Sequence, residues 1–230
     1  MSPLVKEAID VKLLVEELVR LGWKRGEEYG IKGFRNEFIE WSIFEEKFRE
    51  INKDKFGIFE QSEINDILAR VKDALIRGTA VEVLNYLKEG IYIRFGGKLC
   101  SFALVDYSNL WNNIFHIGHE VEFPGSPHNS RPDLVLYVNG IPLVVIEVKP
   151  FTAIGRDALS AGLRQLTRYE MDSPELFKFV QLGVVYVGRE DSVYRATLPN
   201  PSRIERFVPY SRWKPPEGNR YDILDLLRPE

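Results

Sequence analysis

Apolar positions along this chain fall into two regimes. Up to about residue 90 they recur at helical spacing. Between residues 8 and 21, Ile9, Leu13, Leu14, Leu18 and Leu21 make one stripe that Gly22 closes. Residues 36–51 carry Phe38, Ile39, Trp41, Ile43, Phe44 and Phe48 among acidic and basic neighbours. Residues 63–76 and 81–87 behave alike, with Gly78 and Gly90 as punctuation. Beyond residue 90 the apolar runs shorten and helical spacing gives way to strands. Residues 91–95 and 99–105 flank Gly96-Gly97 and predict a hairpin. A polar, Asn-rich segment at 106–113 precedes a strand-like run at 114–123, and 124–130 reads as a loop. Runs at 134–138 and 143–148 meet at Asn139-Gly140, a helical pattern returns at 158–171, and 179–187 is a last apolar strand. From Thr197 the chain is rich in Pro and Arg and has little period, reading as a linker that ends in a short helix near 221–227.

These elements predict an α/β fold in three parts: a helical part at 1–90 packed on the core, the core at 91–195, and a linker at 196–230. Hydrophobic residues make up 44% and charged residues 28% of the 230, ordinary for a globular chain with a substantial core. No run approaches the ~20 apolar residues that cross a bilayer. Met1 to Glu7 lacks the basic-then-apolar layout of a signal peptide, so a cytoplasmic location is expected. Cys100 is the single cysteine, which excludes an internal disulfide and a thiolate-rich zinc site. The net charge of −3 argues against a protein that coats DNA non-specifically, whose affinity comes from phosphate neutralisation. It does not argue against a nuclease, in which a carboxylate-lined metal site adds negative charge beside a local basic strip.

Chemistry concentrates between Arg131 and Lys149. Two β-prone runs without polar centres suit strands buried on both faces. Asp133 opens the first, and Glu147 and Lys149 close the second, so antiparallel pairing gathers three ionisable groups at one sheet edge. Glu147 and Lys149 are two apart and share a face. A strict two-residue turn at Asn139-Gly140 would pair Asp133 with Ile146 and turn the two carboxylates to opposite faces. A shared site therefore needs one extra residue, for example a three-residue turn with Gly140 left-handed and a bulge after it. Two carboxylates suit a hard cation such as Mg²⁺. A neighbouring lysine can orient or deprotonate a water, or hold a phosphate. Downstream, Gln165 and Tyr169 share one helical face, with Arg164 and Arg168 as an adjacent stripe; such groups commonly donate to DNA phosphates.

Taken together, Arg131-Pro132-Asp133, the Asn-Gly-x-Pro-Leu-Val-Val-Ile-Glu-x-Lys run ending at Lys149, Gln165-x-x-x-Tyr169 and Pro174-Glu-Leu-Phe177 resemble the nuclease domain of type I restriction enzyme R subunits. The Asn-rich segment resembles the one preceding the site in that family. The resemblance implies a PD-(D/E)xK restriction-endonuclease-like core, with a mixed central sheet flanked by helices. It also implies Asp133 and Glu147 as metal ligands, Lys149 as the catalytic lysine, and Gln165 and Tyr169 as the helix motif. Arg131, Arg164 and Arg168 would support DNA binding. The family places an acidic residue on its first helix, and Glu7 is the nearest match. The implied activity is metal-dependent endonucleolytic hydrolysis of duplex DNA with Mg²⁺, Mn²⁺ being able to substitute. The implied partners are the methyltransferase and specificity subunits of a type I complex, with no membrane. No Gly-x-x-x-x-Gly-Lys-(Ser/Thr) loop occurs, so ATP would act only in a full-length motor subunit, and 196–230 reads as a linker toward that motor. The chain then reads as a fragment of a longer polypeptide or a stand-alone version of it.

Each signal has a bland counterpart. Asp after Pro commonly ends a turn, Glu-x-Lys is often a solvated ion pair, and Gln-x-x-x-Tyr is often an exposed helix face. Their coincidence at the ends of two buried strands favours the site. His116 and His119, three apart in a strand, point to opposite faces and do not form a metal pair; His128 lies in a loop. Trp41 and Trp111 read as core before base-stacking platforms. The remaining alternatives are another PD-(D/E)xK repair or junction nuclease, and a non-catalytic docking module with the same fold.

Overall fold

The computed structural model describes residues 3–95, 97–150, 155–197, 210–216 and 220–229, with side chains from residue 7 and, in the later helix, from residue 158. Gly96 of the expected hairpin, and much of the segment beyond Thr197, lie outside the described residues. The fold is mixed α/β. The strands are β1 (Lys24–Arg25), β2 (Ile91–Phe95), β3 (Lys98–Phe102), β4 (Phe115–His119), β5 (Leu134–Val138), β6 (Ile141–Val148), β7 (Leu182–Tyr186) and β8 (Val193–Ala196). The helices are α1 (Pro3–Arg20), α2 (Trp41–Ile51), α3 (Lys53–Phe56), α4 (Gln61–Arg77), α5 (Ala80–Glu89), α6 (Gly155–Asp172), α7 (Pro174–Phe177) and α8 (Ile223–Leu226). A 3₁₀ turn at Gly26–Tyr29 follows β1. Among the described residues no helix is long and apolar enough to cross a membrane.

Six strands form one mixed sheet in the order β1-β4-β5-β6-β7-β8, with β1·β4 and β6·β7 parallel and the other pairs antiparallel. Strands β5 and β6 lie at its centre, and every residue of β5 is buried, as a strand covered on both faces requires. Alternation divides their side chains between two cores. Leu134, Leu136, Ile146 and Val148 meet Leu14 and Leu18 of α1 and Phe44 and Phe48 of α2. Val135, Tyr137 and Val145 meet Leu166 and Tyr169 of α6 and Phe177 of α7. Strands β2 and β3 pair separately, with Ile91 opposite Phe102.

Several elements differ from the sequence expectation. The helix expected from residue 36 begins at Trp41, because the backbone of Glu40 is held in a bond from its N–H to the Gly140 carbonyl. The strand expected over 114–123 ends at His119, where Glu120 takes a left-handed φ of 49°. The pairs β1 and β8 add strands at both sheet edges. Ile223, Leu224 and Leu227, within the stretch expected as a linker, are buried in the core, and Trp23 donates to the Leu227 carbonyl at 2.7 Å.

The turn between β5 and β6 corrects the expected geometry. It is a strict two-residue turn: Val138 pairs with Ile141, and Asn139 and Gly140 have φ of 51° and 80°. The extra residue falls later. Tyr137 pairs with Pro142 and Leu136 with Val144, leaving Leu143 as the bulge. Pro142 explains the position, since without an N–H it cannot donate to the ladder and the pairing breaks there at least cost. The bulged Leu143 is not orphaned, because its carbonyl accepts from the Gln181 N–H at 2.7 Å. The turn itself is tightly seated, as a Cβ on Gly140 would meet the Glu40 carbonyl at 2.6 Å.

The Asn-rich segment serves this turn. Asn139 Nδ2 donates to the Leu104 carbonyl at 2.9 Å and to Asn113 Oδ1 at 2.8 Å, while Asn139 Oδ1 accepts from the Ile114 N–H. Asn113 in turn bonds both backbone groups of Asp106. Replacing Asn113 or Asn139 by alanine leaves buried partners unpaired and should lower stability by about 1–3 kcal/mol. Asn139→Ala should cost more than Asn139→Gly, because only the former also strains a left-handed backbone. Urea unfolding of both variants tests the ranking, and equal midpoints would refute it.

His116 of β4 is fully buried with neither ring nitrogen hydrogen-bonded. Burial, with Lys24 alongside on β1, lowers its pKa from 6.5 to about 4. A depressed histidine costs nothing above the unfolded value. As pH falls below it, the unfolded chain takes up a proton that the folded chain refuses, so stability drops. His116→Phe should therefore lose about 2 kcal/mol less than the parent between about pH 7 and pH 5. Parallel acid limbs in the two unfolding profiles would count against this account.

Candidate functional site

The bulge at Leu143 decides where the ionisable groups meet. Leu134 pairs with Ile146, so one step further out Asp133 stands opposite Glu147. The Asp133 carboxylate accepts from the Val148 N–H at 2.7 Å, which fixes it across the strand end. Lys149 follows Glu147 on the same face, its backbone held by an N–H bond to the Tyr186 carbonyl. The first turns of α1 overhang this edge and bring in Glu7. Lys149 Nζ lies 2.6 Å from Glu147 Oε1 and 3.2 Å from Glu7 Oε1. Carboxylate oxygens of Glu7, Asp133 and Glu147 all lie within 4.8 Å of one another.

This is a costly arrangement. Glu147 is 1% exposed, and its Oε2 has no hydrogen-bond partner. Burial, then repulsion from Asp133, pushes its pKa up to about 7 against the pull of Lys149. Burial also raises Asp133, opposed by the Val148 N–H and Lys149. For Lys149 burial works the other way, but Glu147, Glu7 and Asp133 together outweigh it and raise the ammonium pKa. One partly buried cation thus faces three carboxylates and compensates them incompletely. Such a donor set, hard oxygens with one buried lone-pair site unused, fits a divalent cation such as Mg²⁺.

Helix α6 closes the opposite side. It approaches closely because Gly162 presents no side chain: a Cβ there would meet Val185 at 2.4 Å and the Lys149 stem at 3.4 Å. Gln165 and Tyr169 do share a face, but that face points inward. Gln165 Nε2 donates to the Tyr169 hydroxyl at 2.6 Å, and the hydroxyl donates to the Arg131 carbonyl at 2.9 Å. Tyr169 is 1% exposed, so it is a support for the Asp133 segment and not a free donor at the surface. Burial and the adjacent Glu147 raise its phenol pKa, keeping it neutral. Arg164 and Arg168 are exposed on the outer side of α6, and Arg131 is exposed in an ion pair with Glu120 at 2.8 Å.

Sequence reasoning set all three histidines aside as metal or acid–base groups, and His119 lies nearer the cluster than that implied. It ends β4 opposite Leu134, one residue from Asp133. The missed signal was its register, which follows from the β4–β5 pairing.

A family model described as type I restriction enzyme R protein N terminus matches residues 5–201. The chain belongs to this family. Among its relatives is the provisionally named type I restriction enzyme MjaVIIIP endonuclease subunit of Methanocaldococcus jannaschii, 35% identical over 94% of this chain and 21% of the relative. A second from the same organism, provisionally named the MjaVIIP endonuclease subunit, is 40% identical over 57% of this chain and 12% of its own length. The type I restriction enzyme HindI endonuclease subunit of Haemophilus influenzae is 24% identical over 86% of this chain and 20% of its own. The chain thus spans a fifth or so, or less, of the length of these three relatives.

In this R protein N-terminal region, Lys149 is the cation that makes the carboxylate cluster tolerable. Lys149→Met keeps the aliphatic stem and removes the charge. It should destabilise the protein by about 3 kcal/mol in EDTA, because it leaves the buried Glu147 carboxylate without its cation. Mn²⁺ should restore part of that loss. Urea midpoints with EDTA and with Mn²⁺ make the comparison, and a loss that Mn²⁺ leaves untouched would argue against a cation site.

Proposed function

We propose that this chain is the metal-dependent endodeoxyribonuclease domain of a type I restriction enzyme, cutting duplex DNA by phosphodiester hydrolysis. The observation that carries the reading is the meeting of Glu7, Asp133, Glu147 and Lys149 at one edge of an apolar sheet, in a member of this family. Asp133 and Glu147 would hold a Mg²⁺ ion, or Mn²⁺ in its place, with Glu7 as a further ligand. When bound, such an ion supplies Lewis-acid stabilisation of phosphate charge and lowers the pKa of water.

The protein's own groups do the rest. Asp133 is aimed by the Val148 N–H, and Glu147 is held by packing under α6. Lys149 keeps its proton under the pull of three carboxylates, so it acts as a cation that holds the scissile phosphate or orients the attacking water. Tyr169 and Gln165 steady the Arg131 carbonyl and so the approach to Asp133. Arg131, Arg164 and Arg168 supply cations for flanking DNA phosphates. The relatives' names favour a restriction system, in which methyltransferase and specificity subunits would be partners in the cytoplasm. ATP would act only in a full-length motor subunit.

Incubation of the purified chain with supercoiled plasmid and Mg²⁺ or Mn²⁺ tests the reading. Nicking or linearisation is expected, with a loss of about a hundredfold or more in Asp133→Ala and Lys149→Ala. Cleavage that survives both substitutions would place the chemistry elsewhere.

A further inference from the structure

Beside the carboxylate cluster the fold leaves a slot. A cavity of about 250 Å³ lies between α1 and the edge formed by β1, the 3₁₀ turn and β4. Its floor is apolar, with Val11, Val15 and Ile117 all buried. Its rim carries Lys12 and His119, with Arg25 and Glu27 further along. Arg25 is engaged by Glu16 at 2.6 Å, and Glu27 stands 3.9 Å from His119. Lys12 is exposed and has no ion-pair partner among the described residues.

The slot begins at the site. Ala8, exposed at its mouth, directly follows Glu7, and Lys12 lies just over one helical turn beyond. On the other wall His119 ends β4 opposite Leu134, the residue that follows Asp133. The slot thus opens beside Glu7, the α1 residue that reaches Lys149 in the carboxylate cluster. An apolar floor next to the Lys12 ammonium matches a nucleotide, whose base seeks apolar cover while its phosphate seeks positive charge. A cavity of about 250 Å³ has room for one base.

We propose that this slot holds one unpaired nucleotide of the strand adjoining the scissile phosphate. Its base would lie over Val11, Val15 and Ile117 with the His119 ring at its edge, and its phosphate would face Lys12. The proposal rests on the carboxylate cluster being a DNA cleavage site, and it adds a preference for a locally opened strand.

Fluorescence anisotropy in EDTA, with a labelled single-stranded oligonucleotide and the same sequence as a blunt duplex, tests the slot without requiring cleavage. The parent should prefer the single strand. Ala8→Trp plugs the mouth from an exposed position and should weaken single-strand binding by about fivefold or more, with little effect on the duplex. Should Ala8→Trp lower the melting temperature, Lys12→Glu is read in its place, with the same loss expected. Equal affinity of the parent for the two DNA forms, or single-strand binding unchanged in a folded variant, overturns the proposal. Plasmid nicking that persists in such a case leaves the cleavage reading standing and removes the slot alone.

Discussion

Everything at the site hangs on one unpaired residue. Side chains of a strand alternate, so a ladder that ran unbroken from the Asn139-Gly140 turn would set Asp133 against Ile146 and point the two carboxylates to opposite faces. Leu143 shifts the pairing by one, and Asp133 meets Glu147. The shift must occur without losing the turn, because Gly140 is pressed against Glu40 and Asn139 is tied into the chain before β4. Pro142 supplies the place for it. A residue that cannot donate a hydrogen bond, one step past a rigid turn, lets the ladder slip where slipping costs least.

The two ends of the central hairpin thereby have opposite characters. At the turn, Asn113 and Asn139 satisfy one another and the backbone around them, an arrangement that stabilises. At the other end, Glu147 is buried with an unused oxygen, and one lysine stands among three carboxylates. Charges so placed cost stability unless something further compensates them. Strongly perturbed carboxylates beside a specific charge partner cluster at functional sites, where burial and like charges are arranged for use.

Much of this was legible in the sequence, and the illegible parts have physical reasons. The runs that became β5 and β6 announced themselves through unbroken β-branched and aliphatic residues between turn signals, and the need for an extra residue followed from parity alone. Its location did not, because parity counts residues and says nothing of where a ladder breaks. Strand β1 spans two residues, too few to show a period, and β8 is four residues after a turn. Gln165 and Tyr169 were correctly set on one face, yet spacing cannot tell an inward face from an outward one unless the rest of the helix settles it. Glu7 lies over a hundred residues from its neighbours, and only the family resemblance pointed to it.

The placement of Glu7 carries the last step. A cluster drawn wholly from β5 and β6 would be complete once the hairpin formed. Here the third carboxylate comes from α1, which packs Leu14 and Leu18 against the same core as Leu134 and Ile146. The cluster therefore exists only when the N-terminal helix is docked on the sheet. Docking carries a favourable burial of those leucines on the order of a few kcal/mol, enough to offset bringing another negative charge toward Asp133 and Glu147. Hydrophobic packing along the rest of the helix thus drives its N-terminal end into electrostatically unfavourable company, and Lys149 of the sheet edge pairs with both Glu7 and Glu147.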